Sequence, residues 1–376
     1  MSSRDILPLL PHTDGIAHQL CVRRFGTSEA KRKVYVQAGL HADEVPAMLV
    51  AVSLMERLQA LEEAGRLRCE VVLLNAANPI GLAQFVLGTP IGRFDLGSGR
   101  NFNRGFPLLG ERVADAVEAR LTDDLERNRQ VIREAWRAEL DAIKPRQTLD
   151  DLQLKLMQLS VDADIVLDLH CSREADMYVY TGEAIWEDVE PLARYLGARA
   201  SLLAIDAGGQ SFDEAHSLTW WQLQQRYGER FPIPRGTVSV TVEHRGQRDV
   251  SNELANQDAE AIVSYLSLIG MIDAPVEPPP PLPHPATPLA GCERFHAPVA
   301  GILVHLVHLV QPGSLVRPGD AMFEIVDPID GTRTRLHSSS AGMFYMRRDV
   351  RYVRAGDPLG RVTGERSQRT GYLLSA

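Results

Sequence analysis

From residue 34 to 270 short apolar runs alternate with longer amphipathic stretches. This alternation limits the fold more than any other feature, because strands interleaved with helices build a sheet covered by helices, an α/β architecture. Residues 34–38 (Val-Tyr-Val-Gln-Ala) read as a buried strand, and 45–61 as the helix that follows it, with Gly65 as its stop. Residues 71–74, 165–169 and 238–242 are three more strands of this type. The stretch 111–159, rich in Glu, Arg, Ala and Leu, predicts two or more exposed-faced helices that connect sheet elements and carry no chemistry.

The pattern ends at 275–288, Pro-Val-Glu-Pro-Pro-Pro-Pro-Leu-Pro-His-Pro-Ala-Thr-Pro, where proline density predicts an extended, semi-rigid linker. The expected organisation is therefore one unit over 1–274, a linker over 275–288 and a second unit over 289–376. The second unit holds an internal repeat. His296-Ala-Pro-Val-Ala-Gly301 recurs as His337-Ser-Ser-Ser-Ala-Gly342, and Val316-Arg-Pro-Gly-Asp320 recurs as Val353-Arg-Ala-Gly-Asp357. Each copy sets an apolar strand between glycine-containing turns, so two copies predict a small β sandwich or barrel-like module. It resembles the biotinyl/lipoyl-carrier fold, but residues 296–362 contain no lysine, which excludes a covalently attached biotin or lipoyl group.

A formal net charge of −9, with no long run of Lys or Arg, argues against a nucleic-acid surface and for a small-molecule partner. The four cysteines, Cys21, Cys69, Cys171 and Cys292, lack C-x-x-C pairing, which fits a reducing compartment. The polar, proline-broken start and the absence of an 18-residue apolar run predict a cytoplasmic chain with no membrane partner. A homo-oligomer is left open.

Gly39-Leu-His41-Ala-Asp-Glu44 puts a His just past a strand and a Glu in the first turn of the next helix, so that a nitrogen and a carboxylate oxygen can share one cleft. His170, in Asp168-Leu-His170-Cys-Ser, and Glu243, in Val238-Ser-Val-Thr-Val-Glu243, also stand at the carboxyl ends of apolar strands. Ligands of α/β sheets bind outside those ends. Between them lies a loop rich in glycine and aromatic residues with Arg93, Arg100, Asn103 and Arg104, whose guanidinium forks suit a carboxylate or a developing oxyanion. Alternation along the strand turns His244 to the face opposite Glu243, and His305 and His308 fall inside the β unit, so these three read as structural. Cys171 reads as a buried thiol, and Asp168 either as a carboxylate that orients a ligand imidazole or as a structural strand-end residue.

His41-x-x-Glu44, Arg93, Asn103-Arg104, Asp168-Leu-His170 and Glu243, in this order, resemble the succinylglutamate desuccinylase/aspartoacylase family of the zinc carboxypeptidase-like superfamily. The resemblance covers about residues 30–265. It implies a mixed sheet flanked by helices, one Zn2+ per chain on His41, Glu44 and His170, and Glu243 as the general base and acid for a metal-activated water. It further implies that Arg93 polarises the scissile carbonyl and that Asn103 and Arg104 hold a substrate carboxylate. The expected activity is deacylation of a small N-acyl amino acid or related amide. The alternatives are a metallocarboxypeptidase acting on short peptides and a non-catalytic ligand-binding protein with a degenerate site. One departure is visible: the family's Asp-Leu-Asn-Arg appears here as Asn101-Phe-Asn-Arg104.

Overall fold

Alternation within single strands sorts the apolar residues onto two faces. The computed structural model describes residues 2–11, 13, 15–306 and 311–374. Nine strands form one mixed sheet: β1 (Ser3–Pro8), β2 (Gln19–Phe25), β3 (Lys33–Ala38), β4 (Glu70–Leu74), β5 (Ile165–Ser172), β6 (Tyr178–Gly182), β7 (Ala200–Ala204), β8 (Val238–Gly246) and β9 (Thr287–Pro288). Their spatial order is β1-β2-β4-β3-β5-β8-β6-β7-β9. The central four, β4, β3, β5 and β8, run parallel, and β6 returns antiparallel to β8.

Val34, Val36, Leu167 and Val240 point to the face covered by the helices Val45–Glu63, Trp186–Leu196 and Asn252–Leu268. Tyr35, Val72 and Val166 point to the other, covered by Gly110–Val117, Leu125–Ala142, Thr148–Ser160 and Phe212–Tyr227. Burial on both faces is why the central strands are apolar almost throughout. The helix Thr148–Ser160 departs from the exposed-faced expectation, since most of its residues are buried. It also positions the Asn-Arg loop, because Gln153 Nε2 donates to the carbonyls of Phe102 and Arg104 at 3.2 and 2.7 Å.

Residues 275–286 run over the helix Trp186–Leu196. Arg194 donates to the carbonyls of Pro279 and Pro280, both at 2.6 Å, and the Tyr195 hydroxyl to that of Glu277 at 2.5 Å. Thr287–Pro288 then joins the large sheet beside β7. Beyond it, two facing sheets enclose an apolar core that includes Phe295, Phe323, Ile325 and Phe344. The sequence repeat is a structural one. Gly301–His305 opens in one sheet where Gly342–Arg347 opens in the other. The two Arg-x-Gly-Asp turns are closed alike: Asp320 Oδ2 accepts from the Arg317 amide at 2.7 Å and Asp357 Oδ2 from that of Arg354 at 3.0 Å. His305 is buried in this unit, against Phe323, and His308 lies outside the described residues. The two-residue strand Glu174–Ala175, which follows β5, pairs with Gly342–Arg347, and Arg347 Nε meets Glu174 Oε2 at 2.6 Å.

Gly236 leads into β8 at φ +82°, and a Cβ there would lie 2.0 Å from Trp220 Cδ2. Gly236→Ala is therefore expected to destabilise the fold by about 3 kcal/mol, checked by urea denaturation.

Candidate metal centre and active site

Register alone gathers polar residues at one end of one sheet face. Gln37 and Thr241 lie opposite Asp168, Glu243 opposite His170, and across β6 Tyr178 lies opposite Glu243 and Tyr180 opposite Thr241. With a period of two, Asp168, His170, Thr241 and Glu243 share the face of Val166, while Leu167, Leu169, Val240 and Val242 fill the core behind. His244 points to that opposite side and pairs with Asp258 Oδ2 at 2.8 Å.

His41 and Glu44 arrive from the β3 turn. Gly39 takes φ +69°, where an added Cβ would meet the Met48 sulfur at 2.8 Å, and the chain turns sharply out of β3. Glu44 is the residue immediately before the helix Val45–Glu63 rather than within its first turn, and its side chain does not cap that helix. Its carboxylate instead turns inward. Oε1 lies 2.9 Å from His41 Nδ1 and 2.7 Å from Arg93 Nη2, and Oε2 lies 2.7 Å from His170 Nδ1 and 3.1 Å from the Cys171 amide. His41, Glu44 and His170 are 4%, 1% and 2% exposed, so these contacts form out of water.

The far side of each ring decides what this cluster can hold. His41 Nε2 faces Asn101 Oδ1 at 2.8 Å, and His170 Nε2 faces Asp168 Oδ2 at 2.9 Å. Both partners are acceptors, as is the Glu44 carboxylate on the Nδ1 side, so each ring faces an acceptor at both nitrogens. A neutral ring has one proton for its two nitrogens, so further positive charge is needed between the rings and the carboxylate. In the protein alone a proton on His170 supplies part of it: against the effect of burial, Asp168 and Glu44 hold His170 well above the ordinary histidine range, whereas burial and the charge of Arg93 hold His41 below it. Glu44, also against burial, is held well below the carboxylate range by His41, His170 and Arg93. A cation bound by the two Nδ1 atoms and a Glu44 oxygen meets the same need, and these donor atoms lie within 4.8 Å of one another. Two imidazoles and a carboxylate are a suitable donor set for zinc.

Asp168 is itself held through Oδ1, which accepts from Gln37 Nε2 at 2.9 Å; Gln37 Oε1 accepts from the Tyr35 hydroxyl at 2.8 Å. Glu243 borders the same cavity and one of its oxygens, Oε2, is buried without a partner. Burial, with the nearby charge of Glu44, pushes its carboxyl up to about 7. The Cys171 thiol is raised by burial and remains protonated, which suits the buried-thiol reading.

A cavity of about 610 Å3 opens over the cluster, with Arg93, Asn103, Arg104 and Glu243 on its walls. Asn103 is buried, with Oδ1 accepting from the Phe212 amide at 2.8 Å and Nδ2 3.4 Å from His170 Nε2. Arg104 Nη1 donates to the Asn103 carbonyl at 2.6 Å.

The catalytic-domain model of the succinylglutamate desuccinylase/aspartoacylase family matches residues 30–269, the span that supplies every residue above. The chain belongs to this family. It is a family of hydrolases, and His41, Glu44 and His170 form a group that could bind a metal. Solved structures share the whole architecture, C-terminal β strands included. A succinylglutamate desuccinylase/aspartoacylase family protein from Shewanella amazonensis is 26% identical at a TM-score of 0.83, over 96% of this chain and 98% of its own. One from Shewanella frigidimarina is 24% identical at 0.84, over 96% and 97%. A product-bound ectoine utilization protein from Ruegeria pomeroyi has the same fold at 14% identity and a TM-score of 0.66, over 97% and 95%. No functionally curated protein matches the chain in sequence. Among the described residues no helix is long and apolar enough to cross a membrane.

Sequence reasoning missed three features of the site. Asn101, read only as a departure from the family's pattern, is the partner of His41. Gln37 was visible as the one polar residue inside the apolar run 34–38, and it holds Asp168. Asp213 and Glu214, at the start of the helix Phe212–Tyr227, line the cavity beside Arg104 without any motif to mark them.

Asn101→Ala removes the acceptor that faces His41 and is expected to weaken binding of a divalent metal at the His41–Glu44–His170 group about tenfold, read by competition with a chromogenic chelator. Glu214 gives a pH signature. Burial and the charge of Asp213 raise its carboxyl from 4.5 to about 8. The folded chain then holds this proton more tightly than the unfolded chain, so its stabilising effect is complete below about pH 4.5 and is lost as pH rises through about 8. Glu214→Gln should therefore raise Tm at pH 8.5 relative to wild type by more than it does at pH 5.

Proposed function

We propose that this chain is a zinc-dependent deacylase that hydrolyses the amide bond of a small N-acyl amino acid or related N-acyl compound. The observation that carries the reading is the pair of imidazole Nδ1 atoms turned onto the Glu44 carboxylate, in a cavity that also holds the unpartnered oxygen of Glu243. Zinc held by His41, Glu44 and His170 supplies a Lewis acid that acidifies water and polarises a carbonyl. Glu243, with a carboxyl near 7, takes a proton from the attacking water and delivers it to the amide nitrogen as the C–N bond breaks. Arg93 lines the same cavity and offers N–H donors to the carbonyl oxygen as negative charge gathers there. Arg104, with Asn103 beside it, meets a carboxylate of the substrate.

The cavity favours a small substrate over a peptide. Met346, Arg354 and Pro358 of the C-terminal strands wall the space over the cluster, and a pocket of about 610 Å3 suits a ligand of a few tens of atoms or fewer. A small-molecule role agrees with the acidic net charge of −9.

Glu243→Gln keeps the shape of the side chain and removes its basicity. It should lower kcat for acetylated amino acids at least about a thousandfold while zinc stays bound at one per chain, read by amine release and by elemental analysis. Turnover at the wild-type rate in this variant sinks the mechanism.

A further inference from the structure

The catalytic cavity carries a group of cations that the chemistry above does not use. Arg361, on the strand Pro358–Val362, lines it, and its cross-strand neighbour in the antiparallel pair is Arg294. Arg369 comes from the segment that follows, and the charges of all three reach the buried thiol of Cys292. Among the described residues none of the three forms an ion pair with a carboxylate. What they bond is neutral: Arg361 Nη1 donates to the Tyr180 hydroxyl at 3.5 Å, Arg361 also meets the Tyr345 hydroxyl, and Arg369 Nη2 donates to the Leu289 carbonyl at 3.0 Å. Among the described residues no acceptor meets the buried N–H groups at Arg294 Nε and Nη2 and Arg369 Nε. Elsewhere on the cavity wall the charges are matched, since Arg348 and Arg354 both meet Asp357, at 3.3 and 3.6 Å.

Guanidinium groups removed from water normally come with an anion, because unpaired buried charge is costly and unfilled N–H donors add to the cost. Here mutual repulsion is added: burial, together with the positive charges of Arg361 and Arg369, pushes Arg294 down to about 10. Among the described residues the neighbours are tyrosines and a thiol with no counter-charge, and the cavity gives a ligand access to Arg361.

We propose that Arg361, backed by Arg294 and Arg369, forms an oxyanion-binding subsite on the wall that the C-terminal strands contribute to the catalytic cavity, taking a carboxylate or phosphate group. The planar fork of Arg361 suits two oxygens of such a group. Tyr180 stands between the subsite and Glu243: its hydroxyl meets Arg361 and its backbone lies opposite Thr241, two residues before Glu243. An anion held there therefore shares the space in which the amide is cleaved. It is either a second acidic group on the substrate or a free inorganic anion.

Inorganic phosphate is the probe, titrated into the full-length zinc-loaded protein by calorimetry, with chloride added to keep ionic strength constant. Arg361→Met is expected to weaken phosphate binding about tenfold, and Arg294→Gln to weaken it in the same direction. Phosphate on the zinc itself would be indifferent to both Arg361→Met and Arg294→Gln. A second arm compares N-acetylglutamate with N-acetylglutamine, which differ by one negative charge. A rise in KM of about tenfold for the former alone in Arg361→Met assigns the anion to the substrate. Lost phosphate binding with both KM values unchanged assigns it to a free anion. The phosphate arm needs no turnover, so it stands apart from the deacylase reading. Arg294 lies behind the cavity wall, so Arg294→Gln keeps the test open if Arg361→Met does not fold. Phosphate affinity and both KM values equal to wild type in a folded variant of either arginine overturn the proposal.

Discussion

The Glu44 carboxylate is the contact on which the rest of the site depends. Four groups from three parts of the chain converge on its two oxygens: His41 and Arg93 on one, His170 and the Cys171 amide on the other. At 1% exposure such an anion is tolerable only because cations and N–H donors surround it. Glu243, opposite His170 on the neighbouring strand, keeps a carboxyl that exchanges a proton near neutrality.

The sheet makes this convergence possible through the register of its central strands. β3, β5 and β8 are adjacent and parallel, so their carboxyl ends meet, and period-two alternation puts His170 and Glu243 on the same face as Asp168 and Thr241. Each polar side chain on this face is backed by an apolar neighbour that belongs to the core. The site is thus placed by the same packing that stabilises the fold, with the loop 92–107 and the turn after β3 among its irregular parts.

Much of this was legible in the amino-acid sequence. Strands that end in His170 and Glu243 announce themselves because both faces are buried and apolar runs stop at a polar residue. The repeat in the C-terminal unit was legible because Gly and Asp must recur where the same turn recurs. What could not be read was anything that depends on distant segments meeting. Asn101 looked like a lost acid until His41 stood beside it. The helix Thr148–Ser160 looked like an exposed connector, because its composition does not show that Gln153 reaches the loop at Phe102. Apart from Leu289, the cavity walls of the C-terminal unit come from residues more than 100 positions after Glu243, and no local pattern links Arg361 to β5 or β8.

Glu174–Ala175 completes a sheet of the C-terminal unit with backbone that begins two residues after β5 ends. The strand that carries His170 and the far wall of the cavity are therefore joined by main-chain hydrogen bonds, not by side-chain contacts alone. A surface that meets the substrate can change in its turns, as at Arg354 to Asp357, while the sheet edge beneath it stays fixed to His170. Such an enzyme can acquire a new specificity by altering loops far along the chain, with the hydrolytic centre left as it is.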